Sequence, residues 1–122
     1  MLLAIDTSTR YAGAALLNAD GQLLRLVHWR SQHNHSVELL PTVQALLTQE
    51  DTPARKLDAI AIAIGPGNFS ALRVGLSVAK GLALAWKLPL VAVTTLEAEA
   101  HPYRTAESPV VALLDAGRGE IA

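Results

Sequence analysis

The chain has 122 residues, a net charge of −1 and no cysteine, and 51% of it is hydrophobic. That length suits one domain with a real core, and the missing cysteines exclude disulfide frameworks and thiolate metal sites. Ten Lys and Arg are scattered among eleven Asp and Glu, so no basic stretch suits the chain to grip nucleic acid alone. No uninterrupted apolar run approaches the roughly 20 residues of a membrane span. The opening "MLLAIDTSTR" lacks the basic start of a signal peptide. A cytoplasmic protein without membrane partners is expected.

Leu2 to Ile5 is a short apolar run that ends at Asp6, and Thr7-Ser8-Thr9 continues as a polar turn. Ala12 to Leu17 forms a second apolar run. The "NADG" turn signal, Asn18 to Gly21, separates it from a third at Leu23 to Trp29, which predicts three strands in an antiparallel meander. After the polar "RSQHNH", Ser36 is a candidate N-cap for a helix from Val37 to Gln49. Val37, Leu40 and Leu47 fall near one stripe of it, with Leu39, Val43 and Leu46 beside them, so its apolar face is wide. Pro41 removes a hydrogen bond early in this helix and predicts a loose turn or a kink.

Asp58 to Ile64 alternates Ala and Ile, which predicts a central strand covered on both sides, with the alanine face admitting a helix closely. Gly65-Pro66-Gly67-Asn68 leads into a helix from Phe69 to Trp86. Gly75 and Gly81 interrupt that helix at about 1 kcal/mol each, which suggests close approach of a neighbouring backbone. "KLP" stops it. Leu90 to Val93 is a further buried strand, Thr95 to Ala100 a short helix, "HPYRTAESP" a loop, and Val110 to Leu114 a sixth strand. Meander strands followed by parallel strand–helix units predict an α/β, ribonuclease-H-like lobe with a mixed sheet flanked by helices. "VALLDAGRGEIA" echoes "LLAIDTSTRYAGAA". Residues 1–105 are therefore expected to form one lobe, and 106–122 the first strand and turn of a second.

Two turns are candidate sites. Gly65-Pro66-Gly67-Asn68-Phe69-Ser70 is one glycine short of G-x-G-x-x-G. It follows a meander instead of opening a βαβ unit, Lys87 stands where an acidic ribose partner belongs, and no G-K-[ST] follows. The bland reading is a tight turn that lets strand and helix pack. Asp6, with the hydroxyls of Thr7, Ser8 and Thr9, could hold Mg²⁺ and phosphate at the mouth of a sheet, or form a hydrogen-bonded Asp turn. Asp6, Thr7, Ser8, Thr9, Gly65, Gly67 and Asn68 are thus candidate phosphate-loop residues. His33 and His35 lack a third metal ligand, and His101 lacks H-E-x-x-H spacing. No serine sits in a G-x-S-x-G elbow. No catalytic constellation emerges.

"LLAIDTST", "HSVELLP", "GPGNFSALRVGLSVAKGLA" and "LLDAGRGEIA" resemble, in order along nearly the whole chain, the TsaB (YeaZ) family of the actin, Hsp70 and sugar-kinase superfamily. The glycine segment is the most specific. Gly65, Pro66, Gly67, Phe69, Leu72 and Arg73 match the family's G-P-G-S-F-T-G-L-R, while Asn68, Ser70 and Ala71 depart from it. The resemblance implies a non-catalytic subunit of the bacterial machinery that makes threonylcarbamoyladenosine in tRNA. Its partners would be a TsaD-like catalytic subunit and a TsaE-like ATPase, with self-pairing in isolation. Pairing would run through the two helices, with Val37, Leu40, Val43, Leu72, Arg73 and Leu76 as candidate contacts. At the positions of the catalytic subunit's two metal-binding histidines stand Thr95 and Glu99, so no metal is implied. Family members continue into a second lobe; ATP or ADP is expected only at a shared or completed cleft. The competing reading is a fragment of an ATP-dependent kinase or hydrolase of the same superfamily, with Asp6 for Mg²⁺ and the glycine turn for phosphate.

Overall fold

The computed structural model describes residues 1–31, 35–51, 56–103, 105, 111, 115–117 and 120–121. The elements run β1 (Leu2–Asp6), β2 (Tyr11–Leu17), β3 (Leu23–Arg30), α1 (His35–Gln49), β4 (Ala59–Ala63), α2 (Phe69–Trp86), β5 (Leu90–Val93) and α3 (Thr95–Ala100), with a 3₁₀ turn at His101–Tyr103. A separate two-stranded pair follows, β6 (Asp115–Gly117) and β7 (Glu120–Ile121). The expected strand at Val110 to Leu114 lies outside the described residues apart from Val111, which belongs to no strand.

The main sheet has the order β3-β2-β1-β4-β5. β1 is its pivot: it pairs antiparallel with β2 (Ile5 opposite Ala14) and parallel with β4 (Ile5 beside Ile62). The β2–β3 turn works as its residues predict. The Asn18 side-chain oxygen accepts from the backbone N–H groups of Asp20 and Gln22 at 3.0 and 2.9 Å, and Gly21 takes φ 81°. A short polar side chain and a glycine at positive φ are what such a turn requires.

One face of the sheet carries the core. Leu3 and Ile5 of β1, Ala14 and Leu16 of β2, and Ile60 and Ile62 of β4 are buried there against Leu39, Val43 and Leu46 of α1 and Ala79 and Ala83 of α2. α1 begins two residues earlier than expected, so Ser36 lies inside it instead of capping it. The helix continues through Pro41 without a break. At its start, the Glu38 carboxylate accepts hydrogen bonds from Trp29 Nε1 (2.6 Å) and Ser31 Oγ (2.8 Å), pinning the helix to the end of β3.

α2 matches its expected bounds. It is long and apolar enough, by length and composition alone, to cross a membrane. Here its buried stripe of Ala71, Gly75, Ala79 and Ala83 faces the rest of the lobe. Asn68 caps its start, accepting from the Ala71 N–H at 3.0 Å. Lys87 ends it in the left-handed region (φ 56°).

The sequence expectation for β4 is reversed in one respect. The helices lie on the isoleucine face, not on the alanine face. Ala61 and Ala63, with Ala4, Gly13 and Ala15 of the neighbouring strands, line an open depression of about 340 Å³. Among the described residues only the short α3 reaches it, through Ala98. Alternation reveals that both faces are apolar, and the bulky one offers more area to bury, so it takes the helices.

Ile60 is fully buried and Leu84 is 84% exposed. Ile60→Ala is expected to lower stability by about 2–5 kcal/mol through lost burial and a residual cavity. Leu84→Ala should stay within about 0.5 kcal/mol. Urea unfolding of the two variants measures this, and equal losses would contradict the packing.

Candidate functional site

Three parallel strands deliver their carboxyl ends side by side. β1 ends in Asp6 and the Thr7–Thr9 turn, β4 leads to Gly65-Pro66-Gly67-Asn68, and β5 leads to Thr94 and Thr95. This edge is where open α/β sheets hold ligands, and the two predicted turns meet there.

Glycine makes their contact possible. The Ser8 carbonyl accepts from the Asn68 N–H at 2.9 Å, and a Cβ built on Gly67 would lie 2.2 Å from that same carbonyl oxygen. Deeper in, the Thr7 hydroxyl donates to the Ala71 carbonyl of α2 at 2.7 Å, in a buried position. A Cβ on Gly75 would sit 2.2 Å from the Thr7 Oγ1. Gly65 takes φ 109°, a region that side chains rarely enter. Its carbonyl accepts from the Thr95 N–H at 2.9 Å, which joins the third strand end to the other two.

The expectation for the helix glycines is therefore half right. Gly75 does mark a close approach, but of the Thr7 side chain instead of a backbone. Gly81 faces open space.

Most polar side chains of the turns bond to nearby groups of the protein. Asp6 Oδ1 accepts from the Ser8 N–H (2.8 Å) and the Ser8 hydroxyl (2.6 Å). The Thr9 hydroxyl exchanges hydrogen bonds with the Tyr11 backbone, both at 3.1 Å. Asn68 is committed as a helix cap. Thr7 and Ser8 are buried, while Gly67 and Asn68 are exposed. All three hydroxyls of the Asp6 turn thus already hold protein partners. Asp6 also lines the open depression on the alanine face of the sheet.

Thr95 and Glu99 do not converge. Thr95 is fully buried with its hydroxyl unpartnered, whereas Glu99 is exposed. A buried hydroxyl and a solvated carboxylate lack the convergent donors that a transition-metal site requires. Thr94 and Glu97 instead form a capping box at the start of α3, with both hydrogen bonds at 3.2 Å.

The candidate partner residues divide. Val37 is 68% exposed and Leu40 38%, and Arg73 is exposed with its guanidinium 5.5 Å from the Phe69 ring centre. Val43 is corrected: it is fully buried in the core and offers no surface to a partner. Leu72 and Leu76 are half-buried. Leu72 approaches Gly65, and Leu76 packs on the core. Sequence reasoning missed Phe69 and Leu84, the most exposed large apolar residues of α2. They lie on the helix flank opposite the buried alanines, a signal present in the 3.6-residue period.

The protein-family model described as "TsaD: tRNA N6-adenosine threonylcarbamoyltransferase" matches residues 29–122. The chain is 36% identical to the tRNA threonylcarbamoyladenosine biosynthesis protein TsaB of Bacillus subtilis, over 98% of this chain and 52% of that protein. The solved structure of YeaZ from Pseudomonas aeruginosa superposes with a TM-score of 0.87 at 35% identity, over 98% of this chain and 56% of that one. The chain belongs to the TsaB (YeaZ) family. It spans about half the length of the relatives it matches. RuvC of Thermus thermophilus superposes with a TM-score of 0.55 at 13% identity, a likeness of fold alone. The expected ribonuclease-H-like class is the one found.

Gly75→Ala is expected to cost about 1–3 kcal/mol, because the added methyl displaces Thr7 from the Ala71 carbonyl. Gly81→Ala, in open space, should instead gain up to about 1 kcal/mol from helix propensity. In a Thr7→Ala background the loss from Gly75→Ala should shrink, since Oγ1 is gone. Equal effects at both glycines in chemical denaturation would refute the contact.

Proposed function

We propose that this chain acts in tRNA threonylcarbamoyladenosine biosynthesis as a non-catalytic scaffold, docking a TsaD-type transferase through the outer faces of α1 and α2. The observation that carries this reading is the inward commitment of the Asp6 turn. Thr7, Ser8 and Thr9 each spend the hydroxyl proton on a partner within the protein, which fits a structural role for this turn. Val37 and Leu40 on α1, and Phe69 and Leu84 on α2, are large apolar groups left in water. Apolar anchors of this kind, ringed by polar groups, supply the energy of protein association. Membership of a family whose members are named for this biosynthesis supports the pathway. A TsaE-like ATPase completes the proposed assembly. ATP or ADP has no place on this lobe by itself, and would need a cleft completed from another lobe or subunit.

Val37→Asp and Leu40→Asp are each expected to weaken binding of a co-purified TsaD-type transferase at least tenfold, which corresponds to about 1.4 kcal/mol. Their circular dichroism and urea midpoints should stay near wild type. Titration calorimetry of the chain with Mg-ATP should give no micromolar site. ATP hydrolysis by the chain alone, with no association to the transferase, would instead favour the kinase or hydrolase reading.

A further inference from the structure

The main sheet ends in two edge strands, β3 and β5. β5 has four residues and β3 eight. Backbone pairing settles which groups of β3 are left over. The Ser31 N–H donates to the Arg10 carbonyl at 2.8 Å. The antiparallel register continues from that pair, with Trp29 opposite Ala12, Val27 opposite Ala14 and Arg25 opposite Leu16. Hydrogen-bonded pairs alternate along such a ladder, so Trp29, Val27 and Arg25 spend their backbone groups on β2. Leu26, His28 and Arg30 point theirs away from the sheet, and no described residue bonds to them there. Edges are commonly blunted by short length, proline, bulges or charge. β3 contains no proline, and the irregularity in its pairing lies at the far end, beside Leu17. Leu23, Leu24 and Leu26 are 56%, 39% and 56% exposed. Arg25 is held by Glu50. Arg30 is exposed, forms no ion pair among the described residues, and has no Asp or Glu on its own strand.

We infer that the free edge of β3 takes up an extended segment of a partner protein as a further, antiparallel strand, and that this segment carries a carboxylate opposite Arg30 and an apolar side chain opposite Leu26. Strand addition draws affinity from main-chain hydrogen bonds and specificity from alternate side chains. The residues opposite Leu26, His28 and Arg30 would exchange both backbone bonds with them, and their side chains would share the open face of the sheet. Leu26 and His28 rim the alanine-floored depression on that face. The Tyr11 ring meets His28 edge to face, with 6.3 Å between ring centres. Apolar residues opposite Leu26 and His28 would cover this rim and remove exposed leucine from water. Charge fixes the direction. Arg30 stands across from Tyr11 with no acid to answer it, so a carboxylate on the incoming strand meets an uncommitted cation. Because the strands run antiparallel, that carboxylate precedes the residue opposite Leu26 by four positions. The edge lies apart from the outer faces of α1 and α2, so this inference stands independently of docking through those helices.

The probe is a fluorescein-labelled peptide, Thr-Glu-Thr-Val-Thr-Val-Thr, read by anisotropy against the chain at low salt. Saturable binding with a Kd of about 0.1 mM is expected. Leu26→Pro should weaken it at least tenfold. The outward N–H is lost, while the ladder to β2 is untouched, because an edge strand tolerates proline where its N–H faces solvent. The urea midpoint of that variant should stay near wild type. Arg30→Glu should weaken binding about tenfold and recover it for the peptide with lysine in place of glutamate, a swap that tests the inference even if Leu26→Pro does not fold. In hydrogen exchange, bound peptide should slow the amides of Leu26 and His28 and leave that of Trp29 as it was. Wild-type chain that leaves the peptide unbound at about 1 mM overturns the inference, as does a folded Leu26→Pro that binds like wild type. Equal binding of the glutamate and lysine peptides overturns the charge selection. Self-association of the wild-type chain, read by sedimentation equilibrium, that disappears in Leu26→Pro makes the occupant a second copy and overturns the choice of a different protein.

Discussion

The lobe depends on one contact: the Thr7 hydroxyl donating to the Ala71 carbonyl across the bare backbone of Gly75. Thr7 follows β1, the strand on which both halves of the sheet are hung. Ala71 lies in the first turn of α2, the helix that links β4 to β5. A buried hydroxyl needs a partner, and here the partner is reachable because no side chain stands between. The neighbouring contact repeats the device, with Gly67 making room for the Ser8 carbonyl and the Asn68 N–H closing on it. Two glycines thus replace side-chain packing with backbone proximity and fix the antiparallel and parallel parts of the sheet to one helix.

This arrangement sets what the sheet edge can do. In a phosphate-binding loop, hydroxyls and amides are held open toward the ligand. Here the Asp6 turn closes on itself through Ser8, and Asn68 is occupied by its own helix. The same residue types in the same order can serve either purpose, and hydrogen-bond partners separate the two. Besides the open alanine face of the sheet, the outer side of the helical layer can meet other molecules. There, Val37 and Leu40 of α1 and Phe69 and Leu84 of α2 remain exposed because the sheet is already covered by the opposite flanks of those helices.

Much of this was legible in the residues. The order of strands and helices followed from apolar runs broken by "NADG", "GPGN" and "KLP", and α2 matched its expected bounds. Proximity of the two turns followed from strand ends lying on one edge. Other features needed coordinates. The Ala–Ile alternation of β4 declares two apolar faces but not which one the helices choose, and the bulky one won. A glycine in a helix interior announces either a close neighbour or nothing, and Gly75 and Gly81 are one of each. Val43 was readable as apolar on a wide stripe, yet its place at the centre of that stripe, and so in the core, depends on how the helix is rolled on the sheet. Ser36 was a sound cap by composition, but α1 gains a turn's start beyond it.

The composition of α2 also explains why a chain of nearly zero net charge can carry a helix whose charges are of one sign. Summed over all residues, acids and bases cancel. α2 holds Arg73 and Lys80 and no acid, and the cancelling carboxylates sit on other elements. Apolar groups such as Leu84 and Phe69 give affinity to any surface that excludes water from them. They cannot tell partners apart, because burial is nearly indifferent to what covers it. Charge is worth little per exposed pair, but its sign distinguishes an acidic surface from a basic one.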